Sequence, residues 1–155
     1  MEQQVEYEEW EANVPPEFTD DPLWRLPVYR LAAYAADIAW QDSLTLSKTA
    51  LTREPAGELY RSVCGIAAGV VQGYSYSTGS ERAHFLEQAM GCARAARDWY
   101  YRTRHVLRDE ITSHRVGLLT RIIKTLAVQV TQQRQKGLRE AGADATFIDT
   151  ENELT

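Results

Sequence analysis

"GYSYSTGSERAHF", Gly73–Phe85, decides how the chain is read. Two glycines bracket a run of hydroxyl residues ahead of a helical pattern. That layout suits either a loop that cradles phosphate or a corner between two helices. A P-loop places four residues between its glycines, follows the second with Lys and Ser/Thr, and comes after a strand. Here five residues separate Gly73 from Gly79, no lysine follows, and the preceding segment has a helical pattern. The stretch therefore reads as a corner. Gly73 suits the left-handed residue that closes a helix, and Thr78-Gly79-Ser80-Glu81 fits a capping box that opens the next one.

The helices on either side follow from apolar spacing. Leu59, Val63, Ile66 and Val70 recur at steps of four and three, predicting a helix from about Glu54 to Gly73. Gly65, Gly69 and Gly73 form a row beside that stripe. Each glycine inside a helix costs about 1 kcal/mol against alanine, so the row is expected to let another backbone come close. After the corner, Phe85, Ala89, Cys92, Ala96, Trp99, Thr103 and Val106 predict a helix from about Ser80 to Asp109. Val116, Leu119, Ile123, Leu126 and Val130 predict another from about Thr112 to Ala141. The short turn between these two makes them antiparallel neighbours.

Upstream, Pro27 opens a helix to about Lys48, with only Arg30 and Asp37 charged between Val28 and Gln41. A helix apolar on most sides is buried on most sides, which hints at an oligomer. The fold class expected is all-α: an antiparallel up-down-up-down four-helix bundle over residues 23–137. A flexible acidic arm (1–22) precedes it and an acidic tail (138–155) follows.

Composition narrows the compartment and the partners. At 155 residues the chain makes one domain, large enough for a core without disulfides. No apolar run is long enough for a membrane span, so no membrane partner is expected. The acidic N-terminus is unlike a signal or transit peptide, and cytoplasm is the expected compartment. The net charge of −5 is unevenly spread. Residues 1–23 carry eight acids and no base, whereas residues 24–136 carry a surplus of seven positive charges.

Little in the sequence points to catalysis. His84 and His105 are 21 residues apart, about 30 Å along a helix, too far to share a metal. His114 lies beyond the next turn, and all three histidines read as solvated or capping. Glu81 and His84 make a single Glu-x-x-His where a di-iron bundle needs two. Cys64 and Cys92 form no metal set, and no serine has an evident His/Asp partnership. Asp98 reads as an ion-pair partner of Arg94 or Arg102. No metal, cofactor or small-molecule substrate is expected, and the chain does not read as an enzyme.

One polar constellation rises above background. Arg94, Arg97, Tyr101, Arg104 and Arg108 fall at steps of three and four, which places them on one stripe of a helix. Such a ladder can follow a phosphate backbone while the tyrosine stacks a base. The plainer reading is a solvated face, or one paired with the acidic ends.

The stretch "SVCGIAAGVVQGYSYSTGSERAHFLEQAMGCARAARDW" (Ser62–Trp99) resembles the core of the four-helix-bundle family of 23S ribosomal RNA intervening-sequence proteins. Ile66, Gly73 and Tyr74 match one of its motifs, and Phe85, Ala89 and Gly91 match a second. The opening "PLWRLPVYRLAAYAADIAW" is similar to the family's first helix. Gly69, Val71 and Gln72 depart from the motif, standing where the family carries Asn, Ala and Glu. The resemblance covers about residues 22–136. It implies a non-catalytic bundle that assembles with itself into a ring, typically a homopentamer. A related branch serves diversity-generating retroelements, with a basic ring that binds reverse transcriptase and RNA. The leading expectation is therefore an oligomeric scaffold or adaptor for a protein partner. The alternative is an RNA-binding accessory protein that uses the arginine ladder.

Overall fold

A computed structural model of the chain describes the backbone of residues 2–153 and the side chains of residues 6–144. The described residues form α-helices and short 3-10 turns, with no strand among them. In chain order the helices are α1 (Glu2–Ala12), α2 (Pro16–Thr19), α3 (Pro27–Ser47), α4 (Arg53–Ser75), α5 (Gly79–Arg102), α6 (Arg104–Leu107) and α7 (Asp109–Glu153).

Pro27 sits in the first turn of α3, where a missing N–H costs nothing. Val28, Ala32, Ala39 and Leu46 run fully buried down that helix. Leu59, Val63, Ile66 and Val70 do the same on α4, as their spacing predicts. Leu119, Ile122, Ile123 and Leu126 carry the core onto α7. The long helices contact one another in a closed series: α3 on α4, α4 on α5, α5 on α7 and α7 on α3.

The buried stripe of α5 is rotated from the expected one. Ala89, Ala96 and Thr103 are buried as expected, but their companions are Leu86, Ala93, Tyr100 and Leu107. Cys92, Trp99 and Val106 lie at the margin of the core, half-buried. Ala89 of α5 faces Gly69 of α4, where the two backbones approach, and Cys92 meets Gly65 from the margin of the core.

The glycine row lies on that contact. A Cβ at Gly69 would meet Ala89 Cβ at 2.8 Å and the Phe85 carbonyl oxygen at 2.9 Å. At Gly65 it would meet Cys92 Sγ at 2.7 Å, and at Gly73 the Arg82 carbonyl oxygen at 3.3 Å. Gly73 is not the left-handed cap that its position suggested. No glycine has a positive φ among the described residues, and α4 continues to Ser75. Gly73 is there for space rather than for a turn.

Three further segments differ from expectation. The N-terminal stretch, expected as an arm, is helical over Glu2–Ala12; Met1 lies outside the described residues. Tyr7 and Trp10, three residues apart, share one face and pack on Tyr34, with ring centroids 5.1 and 5.3 Å away. Trp10 also stacks on Trp24 and donates its indole N–H to Asp37 Oδ2 at 2.6 Å. Two apolar residues among acids give too short a period to read, yet they suffice to dock the helix.

The helix expected to reach Asp109 instead stops at Arg102. Thr103 turns its hydroxyl back onto the carbonyls of Trp99 and Tyr100, and Arg108 takes a left-handed φ of 73°.

The C-terminal stretch, expected as a tail from residue 138, continues as helix α7 to Glu153; Leu154 and Thr155 lie outside the described residues. A close crossing holds its beginning: Gly137 sits on Ser80, and Glu140 Oε2 accepts the Gly79 N–H at 3.0 Å. That bond satisfies an otherwise orphaned donor at the start of α5.

Candidate functional site

The structure brings part of the arginine ladder together. Arg94, Arg97 and Tyr101 join Asp98 and Val116 around a shallow groove between α5 and α7. Arg97 Nη1 donates to Thr120 Oγ1 of α7 at 3.2 Å. The Arg104 guanidinium covers the Tyr101 ring, 4.0 Å from its centroid, and donates to the Tyr101 carbonyl. Arg108 does not join them, because the break at Thr103 puts it beyond the helix, in its left-handed conformation. Asp98 pairs with Arg102 at 3.3 Å, one of the two partners expected for it.

A second constellation is absent from the sequence reading. Asp42 of α3 is buried, and three helices converge on it. Arg115 of α7 grips both of its oxygens, and Tyr100 of α5 donates its hydroxyl to Oδ2 at 2.7 Å. Burial and the Asp42 carboxylate push the Tyr100 phenol far above its ordinary range. Burial pulls the Arg115 guanidinium down, but the hydrogen bonds and charge of Asp42 outweigh it and raise it overall.

The third Arg115 nitrogen, Nη1, lies 2.7 Å from His114 Nδ1. A guanidinium can only donate, so Nδ1 must be the acceptor and the imidazole proton must sit on Nε2. Burial, and then the Arg115 charge, lower the His114 pKa and favour that neutral form.

His114 opens onto a cleft of about 640 Å³ between α1, α3 and α7. Arg30 and Tyr34 line it from α3, Tyr7 from α1, and Ser113 and Arg121 from α7. Arg30 Nη1 donates to the Trp24 carbonyl at 2.6 Å, and its Nε lies 4.0 Å from Glu11 Oε1. Burial, then the nearby Glu11, raise the Tyr7 phenol; burial, then Glu6, raise that of Tyr34.

Asp42 could have been suspected from sequence as a lone acid two residues beyond an apolar run. Its partner Arg115 is 73 residues away with no motif to join them. Among the described residues no three His, Cys, Asp or Glu side chains cluster as a metal site. No helix there is long and apolar enough to cross a membrane. Together these features define an all-helical protein with a buried polar junction beside an open cleft. No known protein family, curated protein or solved structure matches the chain.

Proposed function

We propose that the chain is a non-catalytic adaptor that assembles with itself. Its core would be an antiparallel up-down-up-down four-helix bundle of α3, α4, α5 and α7, of the kind found in the intervening-sequence proteins that it resembles. Contacting residues support that arrangement. Ser43 meets Ala56, Trp40 meets Tyr60, Gly65 meets Cys92, Gly73 meets Phe85, Glu87 meets Arg134, and Arg97 meets Thr120. In each pair of helices one number rises as the other falls.

The observation that carries the adaptor reading is an exposed apolar strip on α3 and α4. Trp40 is half-exposed, as is Leu44 one turn along, and Trp40 meets Tyr60 edge to face with centroids 5.5 Å apart. Val71 is exposed further along α4. Tyr7, Trp10 and Trp24 already cover another side of α3. The Trp40–Leu44 side is the apolar surface that α3 offers to a second copy, and the resemblance makes a pentameric ring the favoured assembly. Light scattering at micromolar concentration tests this. A stable oligomer that Trp40→Glu with Leu44→Glu reduces to a monomer is expected. A monomeric wild-type chain overturns the reading.

The alternative is an RNA-binding accessory role for the groove at Arg94, Arg97 and Tyr101. The gathering of two arginines and an exposed tyrosine favours it. The commitment of Arg97 to Thr120 and the cover that Arg104 places over Tyr101 rank it second.

A further inference from the structure

We propose that the cleft between α1, α3 and α7 binds a small ligand that carries a phosphate or carboxylate group on a flat apolar body. This goes beyond the adaptor reading and does not depend on it. At about 640 Å³ the cleft has the size of a small-molecule site. Its polar lining is mostly donors. Ser113, Gly117 and Arg121 follow one another at four-residue steps along α7, so each lies about 6 Å from the next on the same face. The middle position has no side chain, and a Cβ built on Gly117 would meet nothing within 4 Å. A hydroxyl and a guanidinium thus flank an empty floor.

His114 adds a third donor, and its orientation is built in. Arg115 holds His114 Nδ1 from behind, and Asp42 holds Arg115, so the Nε2 proton is the one left for a ligand. Arg115 itself is committed to Asp42 and cannot compete. Tyr34, Leu31 and Leu118 supply apolar wall.

The cleft also holds Glu110, while Glu6 and Glu11 act on it from α1, Glu11 lying by Arg30. Glu110 lies one turn before Ser113, which places the oxyanion toward Gly117 and Arg121, and the flat body extends toward Tyr34.

Titration of the full-length chain with phenyl phosphate, phenylacetate and benzyl alcohol tests the proposal, followed by calorimetry and by the nitrogen shifts of the His114 ring. Saturable binding of one or both anions, with movement of the His114 signals and none from benzyl alcohol, is expected. Binding of one anion alone identifies which oxyanion the cleft selects. Arg121→Gln removes a charged donor and should weaken binding roughly tenfold or more. Gly117→Leu, whose Cβ would meet nothing within 4 Å, places an isobutyl group on the floor and should abolish binding while the helical spectrum stays unchanged. The proposal is overturned if neither anion saturates, if benzyl alcohol binds as well, or if folded Arg121→Gln binds like wild type.

Discussion

Arg115 grips Asp42 through both carboxylate oxygens, Nε to Oδ2 at 2.8 Å and Nη2 to Oδ1 at 3.2 Å, where α7 meets α3. Tyr100 joins them from α5, so three helices meet on one buried carboxylate. Stripping water from such a pair costs about as much as the attraction returns, and its net contribution to stability is small. What it adds is register. A one-turn slip of α7 along α3 would leave both charges buried and unpaired.

One-sided changes should therefore be worse than two-sided ones. Asp42→Ala strands Arg115, whose side chain is only 17% exposed, and should cost about 3–5 kcal/mol. Tyr100→Phe removes one hydrogen bond and should cost about 1–3 kcal/mol. The pair Asp42→Leu with Arg115→Met should cost far less than Asp42→Ala alone. Urea unfolding of the three variants checks this, and a loss in the double variant as large as that of Asp42→Ala would show that the junction is not a coupled unit.

His114 supplies a pH dependence of known sign. Burial and Arg115 lower its pKa in the folded chain below the ordinary 6.5, against weaker opposing pulls from Glu6 and Asp42. Between the folded value and 6.5 the unfolded chain binds the extra proton, so stability rises with pH through that window. Acidification from pH 7.5 to 5.5 should lower the urea midpoint, and His114→Gln should flatten that loss. The same slope in both proteins would place the titrating group elsewhere.

The helices were legible because a repeated signal marks them. Leu59, Val63, Ile66 and Val70 announce α4, and four successive turns agree on which face is buried. The Gly65–Gly69–Gly73 row was legible for the same reason. The face of α5 was misplaced, because alanines carry little hydrophobic signal beside Phe85 and Trp99, and close backbone packing selects them nonetheless. The docking of α1 is not legible, because Tyr7 and Trp10 are too few to set a period. The pairing of Asp42 with Arg115 and the cleft beside it are not legible. They are made by single residues on three helices, and single pairs leave no periodic trace. The arginine ladder failed in the opposite way. Its regular spacing ran on through Thr103, where the helix does not.

Gly69 and Gly57 should respond in opposite directions to the same change. Gly69→Ala puts a Cβ against Ala89 Cβ and the Phe85 carbonyl, and forced separation of α4 from α5 should cost about 1–3 kcal/mol. Gly57 is on the same helix with nothing within 4 Å of its Cβ position, and Gly57→Ala should gain about 0.5–1 kcal/mol from helix propensity. Gly65→Ala should fall between them, since the atom it meets is the movable Sγ of Cys92. Thermal melts of the three variants give the order directly, and equal shifts at Gly69 and Gly57 would mean that α4 and α5 are not in backbone contact.

The arginine ladder offers the test that separates the two functional readings. Removing the acidic ends to unmask it is a poor experiment, because loss of α1 uncovers Tyr34 and unpairs Asp37. Substitution in the full chain avoids this. Arg94→Gln, Arg97→Gln and Arg104→Gln keep length and polarity while removing three charges, and Tyr101→Ala removes the stacking ring. An RNA site would lose about 1–3 kcal/mol per stacked base with Tyr101→Ala. Its salt dependence would fall by about one phosphate contact per arginine removed. The adaptor reading gives a different expectation. Arg97 is bonded to Thr120, Arg104 lies over Tyr101, and Arg108 is out of line, so the stripe is largely occupied by its own neighbours. Tyr101→Ala should then leave RNA retention unchanged, and the arginine variants should change it only as net charge does. A selective loss with Tyr101→Ala, in a chain whose helix content and oligomer mass are unaltered, would reverse the ranking and put the RNA-accessory role first.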